Sequence, residues 1–312
     1  MSSVIRTGGG TFDPHEENVY FIASGDEQLA IAEEVHHHLL IAVNEIESSE
    51  SLACLDRWTK DNRKRIFLDS GVFNLSMSYA RNHNVSMDTA LSLDPTEIDG
   101  FDKLWEQYVS LVLKYGDKLW GYIEIDQGGR ENKIKTRARL EALGLRPTPV
   151  YHPLNDGWDY FDYLAERYDR ICFGNIVKAN ASTRQRLIAT AWERHRKYPN
   201  LWIHFLGLTP NQWLNAMPLN SGDSSSWLHP IRWTVYPSSC DGQQFSEMGR
   251  GYRYLLQKDG GETHAENGSA KAIKLCGYKS RMDMLTWRRH MNDLISLGFE
   301  KYPAPQCEVT HG

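Results

Sequence analysis

"LWGYIEIDQGGRENKIKTRARLEALGLRPTPVYH", residues 119–152, decides how this chain folds. Half of its first eight residues (119–126) are aromatic or β-branched, which suits a buried strand. A charged stretch follows. Ile134, Leu140 and Leu143 are spaced to share one face, which predicts a helix over 131–143. "GLRP" ends it: Gly144 suits a left-handed C′ position and Pro147 cannot continue the helix. "TPVYH" (148–152) then reads as a second strand. Strand, helix and strand in succession make a parallel unit.

The same alternation extends in both directions. Further strands are predicted at "VYFIAS" (19–24), "HLLIAV" (38–43), "RIFLDSG" (65–71), "RICFGNI" (170–176), "LWIHFLGL" (201–208) and "IRWTVY" (231–236), with 216–223 as an additional short strand ending at Asp223. Helices are expected at 26–34, 49–60, 102–115, 157–167, 181–197, 210–216 and 279–297. The helix at 181–197 offers Ser and Thr as cap residues and Leu187, Ile188, Ala191 and Trp192 as its apolar positions. About eight strands alternating with helices predict a single (β/α)8 barrel, with an open doubly wound sheet as the alternative. Residues 237–278 are polar and glycine-rich and read as an insertion or long loop before the last helix; 299–312 read as a loose tail.

Composition narrows the function classes. Hydrophobic residues are 41% and charged residues 24%, consistent with a folded core. A net charge of −5 gives no global attraction to nucleic acid, so any such binding rests on a local basic face. The five cysteines are scattered, and the N-terminal stretch lacks the apolar core of a signal peptide; reduced thiols in a cytoplasmic setting are expected. No apolar run approaches the ~18 residues of a membrane span.

In a barrel the working residues stand at the C-terminal ends of the strands. Asp69, Asp126 and Asp223 all fall there, with His152, Gly174 and Gly207 at other strand ends. Neighbouring acids push their pKa values apart, so two can divide the roles of nucleophile and general acid/base. An aspartate after a strand is, taken singly, more often a turn or cap residue than a catalyst; three on successive strand ends bring the two readings level. Metal chemistry has less support: the histidines at 36–38 precede a strand, and there is no C-x-x-C pair. "GGG" (8–10) has no following Lys-Ser/Thr, and no G-x-G-x-x-G occurs, which argues against phosphate-loop and dinucleotide sites. No cofactor is expected.

"FLDSGVFNLSM" (67–77) resembles the D-S-G-G-[FY]-Q stretch of the tRNA-guanine transglycosylase superfamily. In the same order along the chain, "YIEID" resembles its strand bearing the base-reading aspartate, and "CFGNI" its glycine-bearing strand end. "HFLGLTPNQWLNAMPLNSGDSS" resembles the segment running to its nucleophilic aspartate. The resemblance covers roughly residues 20–235. It implies a barrel in which Asp223 is the nucleophile and Asp69 the second acid. Asp126 reads the purine edge, and Phe73 and Leu206 sandwich the ring. Gly174 and Gly207 admit backbone close to the base, His152 lines the pocket, and Ser70 and Gly71 belong to the same substrate-binding turn.

The superfamily's C-x-C-x-x-C zinc cluster is missing, and Val72 stands where a second glycine is usual. The shorter, zinc-free form resembles the phage-associated branch that exchanges guanine for a 7-deazaguanine in DNA. DNA is therefore the expected partner, with tRNA as the alternative, in a host cytoplasm. Arg130, Lys133 and Arg137, just after Asp126, are the candidate phosphate contacts. A barrel glycoside or N-glycoside hydrolase using the same carboxylates is the rival reading.

Overall fold

The structure is a computed structural model that describes residues 4–16, 19–25, 29, 32–33, 37–46, 48–208 and 220–225. The strands and helices expected at 210–216, 231–236 and 279–297, and the insertion expected at 237–278, lie outside the described residues, as does most of 26–34.

Eight strands form one parallel sheet: β1 (Val19–Ala23), β2 (His38–Ala42), β3 (Arg65–Asp69), β4 (Gly121–Tyr122), β5 (Val150–Tyr151), β6 (Arg170–Phe173), β7 (Trp202–Phe205) and β8 (Ser221–Ser224). Their order, β4-β3-β2-β1-β8-β7-β6-β5, brings the first and last of the described strands together in the middle. The two ends of the sheet meet through a parallel bridge between Ile123 and Thr148. There Thr148 N–H donates to Tyr122 O at 2.7 Å and Glu124 N–H to Thr148 O at 3.0 Å. The result is a (β/α)8 barrel. The strand expected over 119–126 is short because a side chain takes over part of the ladder: Glu124 Oε1 accepts the N–H of Val150 at 2.6 Å.

Among the described residues seven α-helices surround the sheet: α1 (Ser49–Trp58), α2 (Val72–His83), α3 (Met87–Ser92), α4 (Phe101–Tyr115), α5 (Gly129–Ala142), α6 (Trp158–Arg167) and α7 (Ala181–His195). The cap of α7 is Asn180, whose side chain accepts Thr183 N–H at 2.9 Å, and not the Ser or Thr expected. Helix α5 ends as expected. Gly144 has φ +78°, and Leu145 N–H returns to Leu140 O at 3.1 Å. Its buried face, however, is not the apolar one. Ile134 and Leu143 are 40% and 51% exposed, while Lys133, Thr136, Arg137 and Leu140 face inward.

Strand alternation sorts the core into layers. Val19, Phe21, Leu40, Phe67, Trp120, Ile123, Val150, Cys172 and Trp202 fill the barrel. Tyr20, Ile22, Leu39, Ile41, Ile66 and Leu68 turn outward to the helices. The N-terminal segment crosses the lower end, where the strands begin. Ile5 bridges Tyr168, Gly9 N–H donates to Leu119 O at 3.1 Å, and Phe12 packs edge-on against Trp202 at 5.2 Å. Buried Arg170 donates to the carbonyls of Gly10 and Trp120 and lies over the Phe12 ring at 4.6 Å. "GGG" therefore serves close approach: a Cβ at Gly9 would stand 2.3 Å from Asp117 O.

Candidate active site

The upper end of the barrel opens on a cavity of about 810 Å³. Asp69, Ser70, Phe73, Asp126, Arg130, His152, Gly174, Leu206, Gly207 and Asp223 all line it. Segments far apart in sequence thus meet because parallel strands all point their C-terminal ends the same way.

Asp69 is the last residue of β3. Gly71, at φ +80°, folds its N–H back onto Asp69 Oδ2 at 3.1 Å. A side chain at Gly71 would strike Asn44, which donates to Gly71 O at 3.1 Å. Gly71 shapes this turn and is not itself part of the cavity lining. Burial, reinforced by the negative charges of Asp126 and Asp223, pushes the Asp69 carboxyl up to about 7, against two backbone N–H groups that favour ionisation. A carboxyl so placed carries a transferable proton near neutral pH.

Asp126 behaves in the opposite sense. Burial alone would raise its pKa, but the hydrogen bond with His152 (Nε2 to Oδ2, 3.1 Å) and the charge of Lys133 outweigh it, holding Asp126 below the ordinary carboxylate value. His152 has room because position 174 is glycine: a Cβ there would lie 2.8 Å from the imidazole Cδ2.

Asp223 is the third residue of β8, a strand of sequence SGDS buried throughout. It pairs in register with Phe21 of β1. Two donors fix its Oδ1: Gly207 N–H at 2.9 Å, available because Gly207 takes φ +71°, and His204 Nε2 at 3.1 Å. Beneath them, Ser221 Oγ accepts the Trp202 indole N–H at 2.6 Å and meets His204 Nδ1 at 2.8 Å. That leaves the Nε2 proton of His204 for Asp223. The small residues around Asp223 let β8 lie between β1 and β7 without side chains that crowd the cavity.

The geometry corrects two expectations about phosphate contacts. Lys133 is fully buried and donates to Asp156 Oδ2 at 2.9 Å; Arg137 is buried against Glu124 at 2.8 Å and Tyr160 at 3.1 Å. Neither presents a face to a backbone. Arg130 does, half-exposed at the cavity edge over the Tyr160 ring at 4.2 Å. Phe73 is also a rim residue, 58% exposed, in company with Leu154 and Val177. Two participants escaped the sequence reading. His204 was hidden within an apolar strand, where its only signal was a lone polar residue in a buried run. Asp156 lies in "NDGWD", which reads as a simple turn. Among the described residues no group of three or more His, Cys, Asp or Glu is arranged to hold a metal ion, and no helix is long and apolar enough to cross a membrane.

No protein-family model matches the sequence. Among characterised proteins, the chain is similar to an α-galactosidase of Saccharomyces mikatae, 25% identical over 161 residues. That stretch is 48% of this chain and 34% of the yeast protein, so the chain spans about a third of the length of the relative it matches.

Proposed function

We propose that this chain is a base-exchange transglycosylase that replaces guanine in DNA by a 7-deazaguanine. The observation that carries the reading is the division between two carboxyls in one cavity: Asp69 pushed up to about 7 and Asp223 clamped on one oxygen by Gly207 and His204. Breaking an N-glycosidic bond at C1′ develops oxocarbenium character, which a carboxylate stabilises and can trap. In the first displacement an Asp223 oxygen bonds to C1′, the C1′–N9 bond breaks with its electron pair going to the purine, and Asp69 supplies the proton that guanine needs to leave. In the second, Asp69 takes a proton from the incoming 7-deazaguanine, whose ring nitrogen attacks C1′ and returns the electron pair to Asp223. Two inversions restore the sugar configuration. Asp126 receives the donors on the purine edge, and Leu206 and Phe73 flank the ring. The target nucleotide must leave the duplex to reach the cavity floor, at about a few kcal/mol of unstacking.

A second reading, a glycoside hydrolase with water as acceptor, draws on the similarity to the α-galactosidase. One experiment separates them. The protein is incubated with DNA or tRNA and a 7-deazaguanine, and separately with an aryl α-galactoside; nucleosides are digested and weighed, and free sugar is measured. Exchange into DNA, lost in Asp223→Ala together with any protein–nucleic acid adduct, is the expected result. Galactoside cleavage without exchange assigns the hydrolase; exchange surviving Asp223→Ala removes the nucleophile.

A further inference from the structure

Helix α5 turns charged side chains into the protein, and one of them is not explained by packing. Arg137 is consumed by Glu124 and Tyr160. Lys133 instead stands behind the cavity wall, with Val150 O at 2.9 Å, Asp156 Oδ2 at 2.9 Å and His152 Nδ1 at 3.4 Å. A lysine ammonium donates and never accepts. The ring nitrogen facing it is therefore an acceptor, and the imidazole proton sits on Nε2, which points at Asp126 Oδ2 at 3.1 Å. Asp156 steadies the same unit from the other side, accepting the His152 backbone N–H at 2.9 Å.

We propose that Lys133 is a positioning residue. By fixing the proton of His152 on Nε2, it keeps Asp126 an acceptor-only carboxylate and so selects ligands that offer two adjacent N–H donors. A purine edge with a ring N–H beside an exocyclic amine fits; the same edge without the amine leaves one acceptor position of the Asp126 carboxylate unfilled in a buried site. This part of the inference rests on the base-exchange reading, whereas the tautomer does not.

The test begins with the native protein, so it does not depend on any variant folding. Long-range ¹H–¹⁵N correlation at the ring of His152, assigned by its loss in His152→Gln, is expected to show a proton on Nε2 and none on Nδ1. A proton on Nδ1 overturns the proposal. Equilibrium dialysis with labelled guanine and hypoxanthine then gives the preference between them. Lys133→Met is expected to erase the single tautomer and lower the preference for guanine roughly tenfold or more, with Lys133→Arg restoring part of it. If Lys133→Met does not fold, Lys133→Met with Asp156→Asn removes both members of the buried pair and is read in the same way. An unchanged tautomer and preference in the variant overturns the proposal. Guanine ignored by the native protein overturns the purine reading, and the ring spectrum still decides the relay.

Discussion

Replacing Asp69 by asparagine is expected to stabilise the protein above neutral pH while abolishing its chemistry. The Asp69 carboxyl is raised from 3.8 to about 7 in the folded chain. Between those values the unfolded chain is ionised and the folded chain still holds its proton, so unfolding releases a proton and stability falls as pH rises. At 1.36 kcal/mol per pKa unit, the three-unit gap sets a ceiling of about 4 kcal/mol, fully expressed above pH 7 and absent below about pH 4. The asparagine side chain of Asp69→Asn would keep the carbonyl that receives Gly71 N–H and carry no charge into the field of Asp126 and Asp223. The assay is urea unfolding of both proteins at pH 5, 6, 7 and 8. The difference between them should grow with pH in favour of Asp69→Asn and then level off. Titrations of groups that do not interact with Asp69 cancel in that difference. A stability difference that stays flat from pH 5 to 8 would refute the reasoning, because it would mean that the Asp69 carboxyl titrates alike in the folded and unfolded chains.

Three further outcomes are expected. His204→Phe removes one of the two donors on Asp223 and should slow single-turnover formation of the covalent adduct about tenfold to a hundredfold with little change in substrate affinity, read by rapid quench. Arg170→Met leaves the carbonyls of Gly10 and Trp120 buried without their donor and should cost about 2–4 kcal/mol in urea unfolding, with base exchange intact in the folded fraction. Arg130→Ala should weaken DNA binding at low salt and reduce the slope of log affinity against log salt by about one, whereas Lys133→Met and Arg137→Met should leave that slope unchanged.

The sequence carried the barrel well where strands are apolar. Runs such as "RIFLDSG" and "RICFGNI" announced β3 and β6, and the acids at their ends followed from the parallel topology. It carried β8 poorly. SGDS has no apolar residue, and what makes it a strand is the pair of ladders supplied by β1 and β7, not its own propensity. Helix α2 was missed because it starts from a left-handed glycine, Gly71, with no capping side chain, and its polar residues mask the periodicity; α3, though capped by Ser86, is only 6 residues long, too short to show a period. Helix α5 and its glycine stop were legible, but the apolar face expected of it was not the buried one. Apolar Ile134 and Leu143 face water while Lys133 and Arg137 face inward, and a helix that inverts its pattern does so where buried charges have partners: here Glu124, Asp156 and His152. His204 was illegible as a site residue and Lys133 was read only as a phosphate contact, since nothing local distinguishes a buried polar residue serving a neighbour from one merely tolerated or one facing solvent.

The segment that plugs the lower mouth of the barrel imposes an order of events on synthesis. Residues 5–12 are made before the strands they cover, yet they settle against Leu119, Arg146, Arg167, Tyr168 and Trp202, so their docking waits until residue 202 has been made. Any fusion attached close to Ile5 must follow that late docking, and a nascent chain stalled before residue 202 would hold a barrel floor that its own first residues cannot yet complete.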